Sequence, residues 1–127
     1  MPHPGQVIEG PNGFRLELLS IDEDLLVMEA GYAGTGEFPP EHLHPRQTER
    51  FEVLEGAVRA RIAGEERRFG PGDTIEVPPG TPHTMAADEP SRMRWEVRPA
   101  LRTAEFFERL YGGSIDFAEF SEEFRLT

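Results

Sequence analysis

Three of the four histidines, His42, His44 and His83, fall in extended segments bounded by Pro and Gly. His42 and His44 are one residue apart, and in a strand residues i and i+2 project to the same face. Both imidazoles then enter one space, with Leu43 on the other side. Glu49 opens the next strand run, in which Glu49, Phe51 and Val53 share a face. If that face is interior, the carboxylate needs a partner or a metal, because an unpaired buried charge is costly. His83 belongs to Thr81-Pro82-His83-Thr84-Met85, with Met85 on its face. Three neutral imidazoles and one carboxylate suit a single first-row divalent metal: Mn, Fe, Co, Ni, Cu or Zn. A bare His-x-His is more often two independent histidines, so the surrounding spacing has to decide. His3 sits in a terminal segment and is read as exposed and without a role.

Composition removes the competing chemistries. The 127 residues carry 24 acids against 13 basic side chains, every one of them Arg, for a net charge of −11. Without Lys there is no Schiff base and no phosphate-loop lysine. Without Cys there is no disulfide, thiolate nucleophile or Cys-ligated metal. The acidic balance argues against nucleic acid, which needs a basic face. The N-terminus shows no apolar leader, and the longest run of large apolar side chains is Leu25-Leu26-Val27-Met28. A soluble, cytoplasmic protein with no membrane partner is the expectation.

The elements that must position these residues are strands. Turn clusters such as Gly10-Pro11-Asn12-Gly13, Gly34-Thr35-Gly36, Gly70-Pro71-Gly72 and Pro78-Pro79-Gly80 punctuate the chain. Between them Phe14-Leu16-Leu18, Phe51-Val53, Val58-Ala60-Ile62 and Met93-Trp95-Val97 alternate with charged residues, the period of half-buried strands in an all-β sandwich or barrel. Gly64-Glu65 reads as a tight hairpin. After Pro99 the period changes. Thr103 can cap a helix with Phe106, Phe107, Leu110 and Tyr111 on one stripe, stopped by Gly112-Gly113. Asp116 and Glu119 have the spacing of a capping box for a second short helix. A single domain spanning 1–127 is expected, with a barrel core at about 14–98 and a helical tail at about 103–127.

The spacing extends well beyond the histidines. Gly36, His42, His44, Glu49 and Gly56 are separated by five, one, four and six residues. Gly72, Pro78, Gly80 and His83 follow, separated by five, one and two. Together these resemble the two motifs of the cupin family. One position departs, Ala87, where the second motif usually ends in Asn. The resemblance implies a small jelly-roll β-barrel (a double-stranded β-helix), here with a short C-terminal helical segment. Carried over by position, it implies His42, His44, Glu49 and His83 as metal ligands, with Glu49 as ligand or as a general base that swings off the metal. It also implies a homodimer, since cupin barrels commonly pair through sheet edges.

Phe51, Val53 and Met85 share the ligand face, with Met93, Trp95 and Val97 expected on a facing strand and Phe38 at the mouth. They line a substrate pocket or form plain barrel core. Arg46 and Gln47 are read as solvated loop residues, and Arg59 and Arg61 as outer-face residues. The helix at 104–111 either closes the mouth as a lid or packs on the outer sheet. The function expected is a metal-dependent enzyme acting on a small aromatic or enolic molecule, with dioxygenase-type oxidation first. Isomerisation, cyclisation or decarboxylation at the same metal is the rival, and a non-catalytic small-molecule-binding module the third possibility.

Overall fold

The computed structural model describes residues 1–127. Period-two alternation becomes strands in two antiparallel sheets packed face to face. In the first, β1 (Val7–Glu9), β2 (Arg15–Ile21) and β3 (Leu26–Tyr32) are followed by β10 (Ser91–Arg98), β5 (Thr48–Glu55) and β8 (Thr74–Val77). The second runs β11 (Arg125–Leu126), β4 (His42–Leu43), β9 (His83–Ala87), β6 (Val58–Ile62) and β7 (Glu65–Phe69). The chain thus crosses repeatedly between sheets, and the all-β jelly-roll barrel expected from the sequence is what it forms.

Alternation dictates what enters the core. Along β10, Met93, Trp95 and Val97 point inward while Arg94 and Arg98 are exposed. On β5, Glu49, Phe51 and Val53 point the same way. β10 lies beside β5, with Met93 opposite Val53, Trp95 opposite Phe51 and Val97 opposite Glu49. These residues therefore share one wall instead of facing each other as expected. The opposite wall is β9, buried along its whole length. Its outer residues are covered by the segment before β4, where the Thr84 hydroxyl donates to the Pro39 carbonyl at 2.8 Å and the Gly36 N–H to the Ala87 carbonyl at 2.8 Å.

Two turns depend on backbone that L side chains disfavour. The β6–β7 hairpin turns on Ala63 (φ 50°) and Gly64 (φ 85°), one residue earlier than the Gly64-Glu65 expectation, because Glu65 already pairs with Ile62. Gly56 (φ 86°) packs so closely on Ser91 and Pro90 that a Cβ would overlap both.

The tail folds back over one end of the barrel. Helix α1 (Thr103–Gly112) buries Ala104, Phe106 and Phe107, and stops at Gly113 in the left-handed region. Thr103 does not cap it: it is the first helical residue, and its hydroxyl accepts a bond from the Gln47 amide at 2.6 Å. After Asp116, whose carboxylate accepts from Ala118 N–H, comes a single 3-10 turn, Phe117–Phe120. No capping box forms there, because the Glu119 carboxylate is drawn to Arg102 and Arg109. No helix is long and apolar enough to cross a membrane.

Candidate metal centre and cavity

β4 and β9 place His42 directly opposite His83 in register, and His44 follows as β4 ends. The ring centroids lie 4.5 Å (His42–His83), 5.0 Å (His42–His44) and 5.2 Å (His44–His83) apart. One donor atom from each ring lies within 4.8 Å of the others. Glu49 reaches them from the opposite sheet. Its Oε1 is 2.8 Å from His83 Nε2 and 3.1 Å from His44 Nε2. The four residues named from spacing therefore meet between the sheets, with Glu49 closer to His44 and His83 than to the group as a whole.

The outward ring nitrogens show which way the lone pairs point. Nδ1 of His44 lies 2.7 Å from the Glu123 carbonyl, that of His83 2.9 Å from Thr81 O, and that of His42 3.3 Å from Pro40 O. A carbonyl only accepts, so each ring carries its proton on Nδ1 and turns a bare Nε2 inward. Glu49 Oε1 also brings only lone pairs. The short contacts between these atoms lack hydrogen-bond geometry, leaving His44 Nε2, His83 Nε2 and Glu49 Oε1 buried and unpartnered. Lone pairs aimed at one point are stable only around a cation, either a shared proton or a metal. A metal fits this donor set. The other carboxylate oxygen, Oε2, is held by the Trp95 indole N–H at 2.8 Å.

The electrostatics agree. Burial, then the neighbouring His83 and His44, lowers the His42 pKa to about 4, keeping it neutral. Burial alone would raise Glu49, but the charge and contact of His44, with the contact from His83, outweigh it and hold the carboxyl well below its usual range. Burial alone would lower His44, yet Glu49 and the Glu123 carbonyl carry it upward.

The centre borders a cavity of about 670 Å³ through His42, Glu49 and His83. Phe51, Trp95 and Met85 form its inner wall, with Phe51 stacked on Trp95 at 5.2 Å. Phe107, Leu110 and Tyr111 of α1 form the cover, Phe107 meeting Trp95 edge-on at 5.2 Å. Phe38 closes one side, its ring 3.9 Å from the Arg61 guanidinium and 4.8 Å from that of Arg59.

The cupin domain family matches residues 28–97, more than half of the chain. The chain is a cupin. Among curated proteins none matches it significantly. Solved structures do. KdgF from Halomonas sp. is 26% identical with a TM-score of 0.69, covering 74% of this chain and 86% of its own. An RmlC-like cupin from Shewanella frigidimarina superposes with a TM-score of 0.71 at 19% identity, covering 78% and 87%. Pac13 from Streptomyces, a nucleoside dehydratase of which a variant is also solved with uridine, gives a TM-score of 0.69 at 19% identity over 96% and 83%. The latter two likenesses speak to fold alone. Cupins often bind a metal, and this one brings three histidines together where a metal would sit.

Other expectations for this cupin need revision. Val53 and Met93 lie outside the cavity wall, fully buried further along their strands. Arg46 is exposed as expected and pairs with Glu122 at 2.9 Å. Gln47 is not solvated: it is buried, and its amide donates to Pro99 O, Ala100 O and Thr103 Oγ1, pinning the start of β5 to the start of α1. Arg59 and Arg61 do lie on the outer side, paired with Asp88 and Glu66. Sequence reasoning missed Tyr32 and Phe124 as wall residues, and it placed Tyr111 only on the helix stripe. Phe124 stacks on His42 at 4.8 Å, a contact whose only sequence signal is an aromatic in an acidic tail.

Proposed function

We propose that this cupin is a metal-dependent enzyme that oxidises a small aromatic or enolic molecule in a dioxygenase-type reaction. The observation supporting the reading is the convergence of bare imidazole nitrogens and a carboxylate oxygen beside an aromatic cavity. His42, His44, Glu49 and His83 would hold one divalent transition metal, with Fe, Mn, Ni, Co and Cu the redox-capable candidates and Zn the redox-inert one. When bound, a redox-active metal supplies dioxygen activation and polarises the group that reaches it.

The chain's own residues do the rest. The carbonyls of Glu123, Thr81 and Pro40 fix the imidazole tautomers. Trp95 holds Oε2 of Glu49, leaving Oε1 turned toward His83 and His44. The aromatic wall and the α1 cover exclude water from a bound ring. Glu49 also supports a second reading. Its Oε1 has no hydrogen-bond donor and the residue borders the cavity, so a carboxylate freed from the metal could take a proton from an enolisable substrate. A metal-dependent isomerase, cyclase or decarboxylase would use that proton transfer without oxygen. A non-catalytic binding module would use neither. The reading includes a cytoplasmic homodimer, for which light scattering is the test.

The deciding experiment is metal analysis of protein purified without chelator, followed by oxygen consumption with flavonols, catechols and β-diketones. A metal equivalent per chain and oxygen uptake with a member of the panel are expected. Substrate conversion without uptake would transfer the assignment to the second reading. No conversion with metal fully loaded would count against both.

A further inference from the structure

The chain has 13 basic side chains, all Arg, yet none lines the cavity. Arg59 and Arg61 lie against Phe38 of the wall, and their guanidinium groups are engaged by Asp88 and Glu66. The ionised groups in the wall are acids, Glu49 at the metal site and Glu37 at the exposed rim. The remaining polar side chains are neutral: Tyr32, Tyr111, Asn12 and Thr35, beside the metal-site imidazoles. Tyr32 belongs to β3, its ring edge-on to Phe14 at 5.3 Å. Burial, then Tyr111 and Glu49, pushes its pKa up, so its hydroxyl stays protonated and available as a donor.

An anionic substituent brought into such a cavity loses its hydration and meets no cation, except at the metal end. A neutral ring loses nothing comparable and gains stacking against Trp95, Phe107 and Tyr111. We infer that the cavity takes an aromatic compound uncharged everywhere except where it reaches the metal, with the Tyr32 hydroxyl bonding its neutral polar substituent. Carboxylated or phosphorylated ring compounds whose acid lies away from the metal are excluded. The inference names the substrate class of the enzyme proposed above and rests on this cavity being its substrate site.

Trp95 is the sole tryptophan and stands in the cavity wall, so its emission reports occupancy directly. The experiment titrates chelator-treated protein with benzyl alcohol, toluene and benzoate. Benzyl alcohol and toluene are expected to change the emission saturably. Benzoate should bind at least about tenfold more weakly, the cost of desolvating an unpaired carboxylate. Tyr32→Phe should weaken benzyl alcohol several-fold and leave toluene unchanged. Thr35→Arg, at the exposed rim, should raise benzoate affinity without disturbing the core. Benzoate binding as well as benzyl alcohol in the wild type, or no probe reaching Trp95, would overturn the inference. An equal loss of alcohol and toluene in Tyr32→Phe would also overturn it. The assay runs without metal, so a failure of the proposed metal chemistry leaves the binding ratio intact. An unselective cavity, in turn, leaves the metal analysis intact.

Discussion

At the residue scale the centre is a balance of opposing pKa shifts, and pH exposes it. Folded His42 stays neutral down to about pH 4, whereas its ordinary value is 6.5. Between those values the unfolded chain binds more protons, so acidification favours unfolding. His44 runs the other way: its pKa is raised, so its contribution is present below 6.5 and lost as pH rises through the folded value. Glu49 is held low, and its contribution, present above 4.5, is lost as pH falls below that. In chelated protein, His42→Gln should therefore show a shallower fall of Tm between pH 6.5 and 4 than wild type, measured by calorimetry. Coincident slopes would refute the burial of a neutral imidazole at that position. His42 and His44 were legible as a pair because strand geometry ties i and i+2 to one face, and the motif resemblance added Glu49 and His83. Tyr32 was not, because it ends β3, a strand buried at Leu26, Val27 and Met28 in succession, where no alternation marks inside from outside. Gln47 was illegible for a different reason. Its acceptors, Pro99, Ala100 and Thr103, lie some fifty residues away in sequence, and only the packed tail brings them near.

At the scale of elements, the tail belongs to the site. β11 pairs with β4 through Leu126 and His42, the Glu123 carbonyl accepts a hydrogen bond from His44 Nδ1–H, and Phe124 lies between His42 and Phe106, 4.7 Å from the latter. Period and capping residues revealed that a helix follows the barrel. They could not reveal that it covers the cavity mouth, because an apolar stripe says that a face is buried and not against what. Phe124→Ala should weaken metal affinity about tenfold, the size of effect seen when a group that orients a ligand is lost. It should also lower stability by about 3 kcal/mol. Competition with a chromogenic chelator and urea unfolding measure the two effects. Phe117→Ala, at an exposed ring, should change neither by a comparable amount. If both variants bind metal like wild type, the tail covers the centre without orienting it.

At the scale of the whole molecule, the 24 acids divide sharply. Glu49 is enclosed, whereas others, such as Glu29 and Glu55 gripping Arg92, decorate the outer faces of the sheets. A metal bound only by the folded chain stabilises it by mass action, by about 4 kcal/mol at free metal a thousandfold above Kd. Chelation should therefore lower Tm by several degrees, and His42→Ala should abolish that response while His3→Ala leaves it intact. An unchanged Tm on chelation would remove the metal from the centre. The interleaving of the two sheets has a kinetic consequence as well. The donors come from β4, β5 and β9, and β10 must slot between β3 and β5 before Glu49 has its wall. Such long-range pairings form slowly, and the donor set exists only after the sheets have closed on each other. A metal captured there arrives after the rate-limiting step. It would act as a brake on unfolding and not as a template for folding, lengthening the lifetime of the native chain while refolding proceeds at the same rate with or without it.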